Sequence, residues 1–242
     1  MTTLKAFLTL LAALAFIAAP IFLVPGFGGF DPNRYPIPQI NPPIQPAGYA
    51  FSIWGFIYTW LLAMATYGII GRRTDAEWNH TRTPLILSLA IGASWLSVAR
   101  VSPLWATILI WIMLITALIA LFRTPTKDRW WLEGPVALYA GWLSAASFVS
   151  IALLGAGYGF LTDMTGWAWI CLSAAVIFAA AIQTSLARAP EYAAGVVWAL
   201  VAIAVTNWSR DTGITITALL GCVVMTVFGV KALLGQRSLP AK

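Results

Sequence analysis

Charge is the scarcest commodity in this sequence. Only 9% of its 242 residues are Asp, Glu, Lys or Arg, whereas 60% are hydrophobic. A soluble domain carries about a quarter charged residues, so a water-soluble globule is excluded and an integral membrane protein is implied, consistent with a mean hydropathy of +0.84. Histidine occurs once, at His80, and cysteine twice, at Cys171 and Cys222, in separate apolar runs without ligand-like spacing. That gives no metal centre and no disulfide framework; the two thiols read as small buried apolar side chains. The apolar runs hold no carboxylate pair, no His–Glu pair and no nucleophile beside a base, so no catalytic residue is assigned and a non-enzymatic role is expected. Their lack of interior ionisable groups also argues against a proton-coupled pump or a charge-lined channel. His80 lies in the polar Arg72–Arg82 connection and reads as an exposed loop residue, not a haem ligand. Asp163, Glu191 and Asp211 fall at run ends, where capping or solvation suffices, and Gln183 and Asn207 suit hydrogen bonds between helices.

What the chain does have is a succession of apolar runs near the roughly 20 residues that cross a bilayer. There are eight: Leu4–Val24, Ala47–Gly71, Thr81–Arg100, Pro103–Phe122, Gly134–Gly155, Gly166–Ala187, Tyr192–Trp208 and Thr212–Leu234. The fold class is therefore an all-α integral membrane protein with eight transmembrane helices. The basic residues test the count. Eight spans put Lys5, Arg72, Arg73, Arg82, Arg123, Lys127, Arg129, Arg188, Lys231, Arg237 and Lys242 on one side, and only Arg34, Arg100 and Arg210 on the other. An 11-to-3 split places both termini in the cytoplasm, as in a bacterial inner-membrane protein, and replaces any nucleic-acid role for the net charge of +6. The first run resembles a signal peptide, but its length and want of a cleavage site predict a retained helix. Val101 and Ser102 alone join the third and fourth runs, which predicts an antiparallel pair. The long Pro25–Gln45 connection reads as a folded lid, and the glycine-rich Gly155–Gly166 connection as a mobile one.

The densest aromatic series follows that lid. Pro42, Pro43 and Pro46 stiffen the approach, and a helix opening at Pro46 would carry Tyr49, Phe51, Trp54 and Tyr58, the last three at i, i+3 and i+7. On such a helix Trp54 would lie roughly 10 Å below Ala47. Two readings stay open: an interfacial aromatic belt, or the wall of a pocket for a flat apolar ligand. Seven tryptophans (78, 105, 130, 131, 167, 169 and 208 by position) fall at predicted interfaces, while Trp54, Trp60, Trp95, Trp111, Trp142 and Trp198 lie further in.

The ordered series Pro42-Pro43, Tyr49, Ile53-Trp54, Tyr58, then Trp95, Trp105-Ala106 and Tyr139-Ala140-Gly141-Trp142 resembles the translocator protein / tryptophan-rich sensory protein (TspO/MBR) family. Leu138 stands where that family has a fifth-helix proline, and Ser94 where it has a third-helix asparagine. The resemblance covers roughly residues 4–155. It implies a five-helix TspO-like domain, 1–155, followed by a three-helix membrane extension, 156–242. It also implies a ligand site beneath the first loop, lined by Pro42, Pro43, Tyr49, Phe51, Trp54, Tyr58, Trp95, Tyr139 and Trp142. The implied ligand is a porphyrin or other tetrapyrrole, a carotenoid or a sterol-like lipid, with sensing, sequestration or delivery as the outcome. Transport of such a ligand, or scaffolding of a partner membrane complex or homodimer through the last three helices, are the alternatives.

Overall fold

The computed structural model describes residues 2–23 and 29–237, and every regular element among them is helical. Eight α-helices follow in order: α1 Thr2–Ala18, α2 Ile53–Ile70, α3 Ala76–Ala99, α4 Pro103–Phe122, α5 Glu133–Gly157, α6 Met164–Leu186, α7 Pro190–Asn207 and α8 Thr212–Arg237. Each is long and apolar enough to cross a membrane. Val24, the Pro25–Gly28 part of the expected lid, and Lys242 lie outside the described residues.

The chain forms two compact units. The first comprises Met1–Phe30 and Phe51–Ala140; the second comprises Asp31–Ala50 and Gly141–Lys242. Helix α5, the most buried of the eight, begins in one and ends in the other.

In the first unit α1 packs on α2 and α3, and α3 packs on α4 as the expected antiparallel pair. Ser102 caps α4 by accepting from the Trp105 amide, and Pro103 follows at the first helical position, where its missing N–H costs nothing. Helix α3 starts five residues before the expected Thr81, because the Asp75 carboxylate caps it by accepting from the Glu77 and Trp78 amides. His80 is consequently helical and exposed, not a loop residue. Arg82, expected among the exposed connection charges, is only 3% exposed. Its guanidinium donates to the carbonyls of Gly68, Arg72, Arg73 and Thr2 at 2.7–3.3 Å. Those acceptors include the C-terminal turn of α2, where backbone carbonyls lack intrahelical partners and the helix dipole is negative.

In the second unit α8 packs on α7 and α6. The described part of the expected lid is indeed folded. Ile37 donates to the Gly157 carbonyl (2.9 Å) and Ala47 to the Ala202 carbonyl (3.1 Å). Asn207 reaches the Pro43 carbonyl at 2.7 Å, and the Trp198 indole reaches the Ala50 carbonyl at 2.9 Å. Asn207 thus fastens this strap, where a helix-to-helix bond was expected. Gln183 does join two helices: its amide donates to the Arg188 carbonyl and accepts from the Ala193 amide, closing the α6–α7 turn through left-handed Ala187 and Ala189. The Gly155–Gly166 connection, expected to be mobile, is tied down. Phe160 donates to Gly155, and the Trp167 indole donates back to the Phe160 carbonyl at 2.6 Å.

One contact sets how closely α5 and α7 approach. A Cβ on Gly141 would land on the backbone carbonyl of Tyr192, and one turn later the Ser144 and Tyr192 hydroxyls share a 2.9 Å hydrogen bond. Small residues at such crossings let membrane helices pack backbone to backbone. Gly141→Ala therefore costs about 1–3 kcal/mol, a fall in Tm of roughly 2–10 °C for a chain of this size. Gly55→Ala, where the added carbon meets nothing within 4 Å, leaves Tm unchanged or slightly raised; thermal unfolding in detergent distinguishes the two.

Candidate ligand site

The aromatic series begins differently from its sequence reading. Pro46 and Ala47 are not helical; a 3-10 turn, Gly48–Ser52, intervenes before α2 starts at Ile53. Trp54 is therefore the second residue of α2, and the depth expected from a helix opening at Pro46 does not hold. Trp54 and Tyr58 remain at i and i+4, on one face, with rings stacked at 5.2 Å and 21°. Phe51 precedes them, half-buried in the 3-10 turn.

Tyr139 of α5 completes a corner. It is fully buried and its ring lies 6.4 Å from Trp54. Its hydroxyl meets Ser88 Oγ of α3 at 2.9 Å, and Ser88 Oγ lies 2.8 Å from the Met113 carbonyl of α4. A carbonyl only accepts, so the serine proton goes to Met113 and Tyr139 donates to Ser88. The chain of two bonds satisfies a buried phenol and fixes its ring plane.

The fourth ring was not anticipated. Phe16 of α1, 3% exposed, stands edge-on to Trp54 (5.6 Å, 88°), Tyr58 (5.1 Å, 87°) and Tyr139 (5.8 Å, 65°). Edge-to-face contacts of this kind contribute about 0.5–1.5 kcal/mol each beyond apolar burial. Gly92 of α3 makes room for the ring: a Cβ there would come 2.5 Å from Phe16 Cε2 and 3.0 Å from Met113 Cε. Nothing in the sequence of α1 singles out Phe16 from its apolar neighbours, and Gly92 lies 76 positions away, so no local pattern links them.

The other expected lining residues have their own partners. Trp95 donates its indole N–H to the Ala106 carbonyl (2.8 Å), bracing the α3–α4 turn, and meets Phe30 edge-on at 5.9 Å. Pro42, Pro43, Tyr49 and Trp142 belong to the second unit. There Pro42 is buried, Pro43 accepts from Asn207, Tyr49 is exposed with its ring edge-on to Trp198 at 5.8 Å, and Trp142 is 3% exposed on α5.

A second cluster joins the α2–α3 and α4–α5 connections of the first unit. Arg72 grips Asp128 bidentately at 2.6 and 3.0 Å, and Lys127 bridges Asp75 and Glu77 at 3.0 and 2.7 Å. Trp78, expected at the membrane interface, is instead buried and donates its indole N–H to Asp128 at 3.0 Å. The hydrogen bond from Arg72 holds the Asp128 carboxyl below its usual range against the opposing effect of burial. Burial raises the Asp75 carboxyl, but bonds from Lys127 and the helix amides outweigh it and leave it lowered. These ion pairs latch the helix ends together. Near them, Arg82, Trp78, Thr9 and Thr81 border a cavity of about 10 Å³, room for about one water. Among the described residues no group of three or more His, Cys, Asp or Glu side chains is placed to hold a metal ion.

Eight membrane-length helices and a buried aromatic corner define a polytopic membrane protein. The chain belongs to the TSPO-like protein family, whose model matches residues 7–231. The match runs past residue 155, through α6, α7 and most of α8. Membership links the chain in general terms to ligand binding and transport in membranes. No curated protein and no solved structure matches it.

The carboxylates of the latch carry a pH signature. A group whose pKa is depressed on folding stabilises the fold above its unfolded pKa, about 3.9 for Asp, and loses that contribution as pH falls through the folded value. Asp128→Asn lowers Tm by about 5 °C at pH 7, and the gap from wild type closes below about pH 4. Thermal melts across pH 3–8 read this directly.

Proposed function

We propose that this chain is a non-enzymatic membrane binding protein for a flat hydrophobic ligand: a tetrapyrrole, a carotenoid or a sterol-like lipid. The observation that carries the reading is the convergence of Trp54, Tyr58 and Tyr139 on one corner of a membrane-embedded unit, in a chain of the TSPO-like family. A planar conjugated molecule gains there by ring contacts and by apolar burial, at about 25 cal/mol per Å². Phe51 and Trp95 extend the same unit's aromatic surface. Pro42, Pro43, Tyr49 and Trp142, expected in the lining by resemblance, belong to the second unit, and the proposal rests on the rings of the first. Sensing, sequestration or delivery is the use we assign to such binding, since the described span interiors carry no carboxylate that would couple uptake to protons.

The orientation belongs to the same proposal. With Arg82 removed from the exposed charges, the split of basic residues is still 10 to 3, which supports cytoplasmic termini in a bacterial inner membrane. Reporter fusions test this: alkaline phosphatase fused after Arg237 stays inactive, whereas fused within the α5–α6 connection it is active. The reverse pattern overturns the topology.

Binding is read by tryptophan fluorescence of the detergent-purified protein titrated with protoporphyrin IX and, separately, with β-carotene. Saturable quenching is expected with one of them. Trp54→Ala and Tyr58→Ala each weaken it by about tenfold or more, equivalent to at least about 1.4 kcal/mol, with the fold retained. Quenching that never saturates, or is indifferent to both substitutions, sinks the binding reading.

A further inference from the structure

We propose that Phe16 is a built-in occupant of the aromatic box, and that a ligand binds by taking the place of its ring. This rests on the binding reading above and goes beyond it by naming the residue that closes the site and the part of the ligand that opens it. Trp54, Tyr58 and Tyr139 come from α2 and α5, whereas the ring between them comes from α1. That ring meets all three walls edge-on, at centroid distances of 5.1–5.8 Å. Such a socket selects for a ring over any apolar filler, because T-shaped contacts pair an electropositive ring edge with a negative ring face.

The seat under the ring is equally specific. Gly92 contributes no side chain, and the smallest addition there would collide with Phe16 at 2.5 and 2.8 Å. The walls are fixed independently of their occupant: Tyr139 is held by Ser88 and Met113, and Trp54 and Tyr58 stack on each other along one helix. The occupant's own helix is the one with a built-in change of pitch. Three residues beyond Phe16, α1 passes into a π-helical turn, Ala19–Leu23, which contains Pro20. Wide turns of this kind are rare and frequently mark functional sites.

The group that replaces Phe16 must match it: an uncharged, unsaturated ring of similar size, such as a pyrrole of a tetrapyrrole or the end ring of a carotenoid. A site closed by its own side chain shows an affinity reduced by the fraction of time it stands open. Removing the occupant therefore tightens binding, opposite to the effect of removing a wall.

The test compares full-length wild type, Phe16→Ala and Gly92→Ala in detergent, titrated with protoporphyrin IX and β-carotene, with Tm measured with and without toluene. Phe16→Ala is expected to bind at least one of the two about tenfold or more tightly than wild type. Toluene should raise the Tm of Phe16→Ala and leave that of wild type unmoved, as a vacated apolar cavity accepts a ring. Gly92→Ala, which expels the ring without deleting it, tightens binding in the same direction and decides the matter if Phe16→Ala does not fold. Wild-type binding with unchanged or weakened affinity in the folded variants overturns the role of Phe16 and leaves the binding reading intact. Absence of quenching in all three proteins overturns both.

Discussion

A polar group inside a bilayer must find its partner within the protein, because hydrocarbon offers none. Most of the specific geometry of this chain can be traced to that requirement. Arg82 is buried only because four carbonyls surround its guanidinium, and in meeting them it joins the start of α1, the end of α2 and the turn into α3. Tyr139 and Tyr192 place their hydroxyls on serines of neighbouring helices, Ser88 and Ser144. Gln183 satisfies both ends of its amide within a single tight turn. Each bond fixes a relative height of two helices, which apolar contact alone leaves free to slide.

Against that framework the apolar packing is selective about size. Gly92, Gly141 and Gly155 each sit beneath a ring or a backbone carbonyl that a methyl group would displace. The two kinds of constraint meet at the aromatic corner. There a polar chain from Tyr139 through Ser88 to Met113 orients one wall, and a missing side chain at Gly92 admits the ring of Phe16. The corner built this way is lined by uncharged rings.

The eight helices were legible because span length and hydropathy are properties of local sequence, and the distribution of basic residues checked the count. What depended on a partner distant in sequence was not. The start of α3 was misplaced because the Asp75 cap, six residues ahead of Thr81, was read as loop; Arg82 and His80 were misread with it. Trp78 was assigned to the interface by its type, yet Asp128, 50 positions away, draws it inside. The stacking of Trp54 on Tyr58 was visible as i, i+4 spacing. Phe16 was not, because a phenylalanine in an apolar helix carries no mark of which neighbour it will meet.

The strap from Asp31 to Ala50 imposes an order on synthesis. Its main fastenings on α7 are the Trp198 and Asn207 side chains, 148 and 164 positions further along the chain from the carbonyls they hold. At about 5–20 residues per second, the strap emerges from the ribosome on the order of ten seconds or more before those partners exist. During that interval its six prolines, which carry no amide N–H, leave its backbone fewer donors to offer elsewhere. The proline content of the strap, usually read as a matter of shape, thus also keeps an early segment from pairing wrongly while its permanent neighbours are still being made.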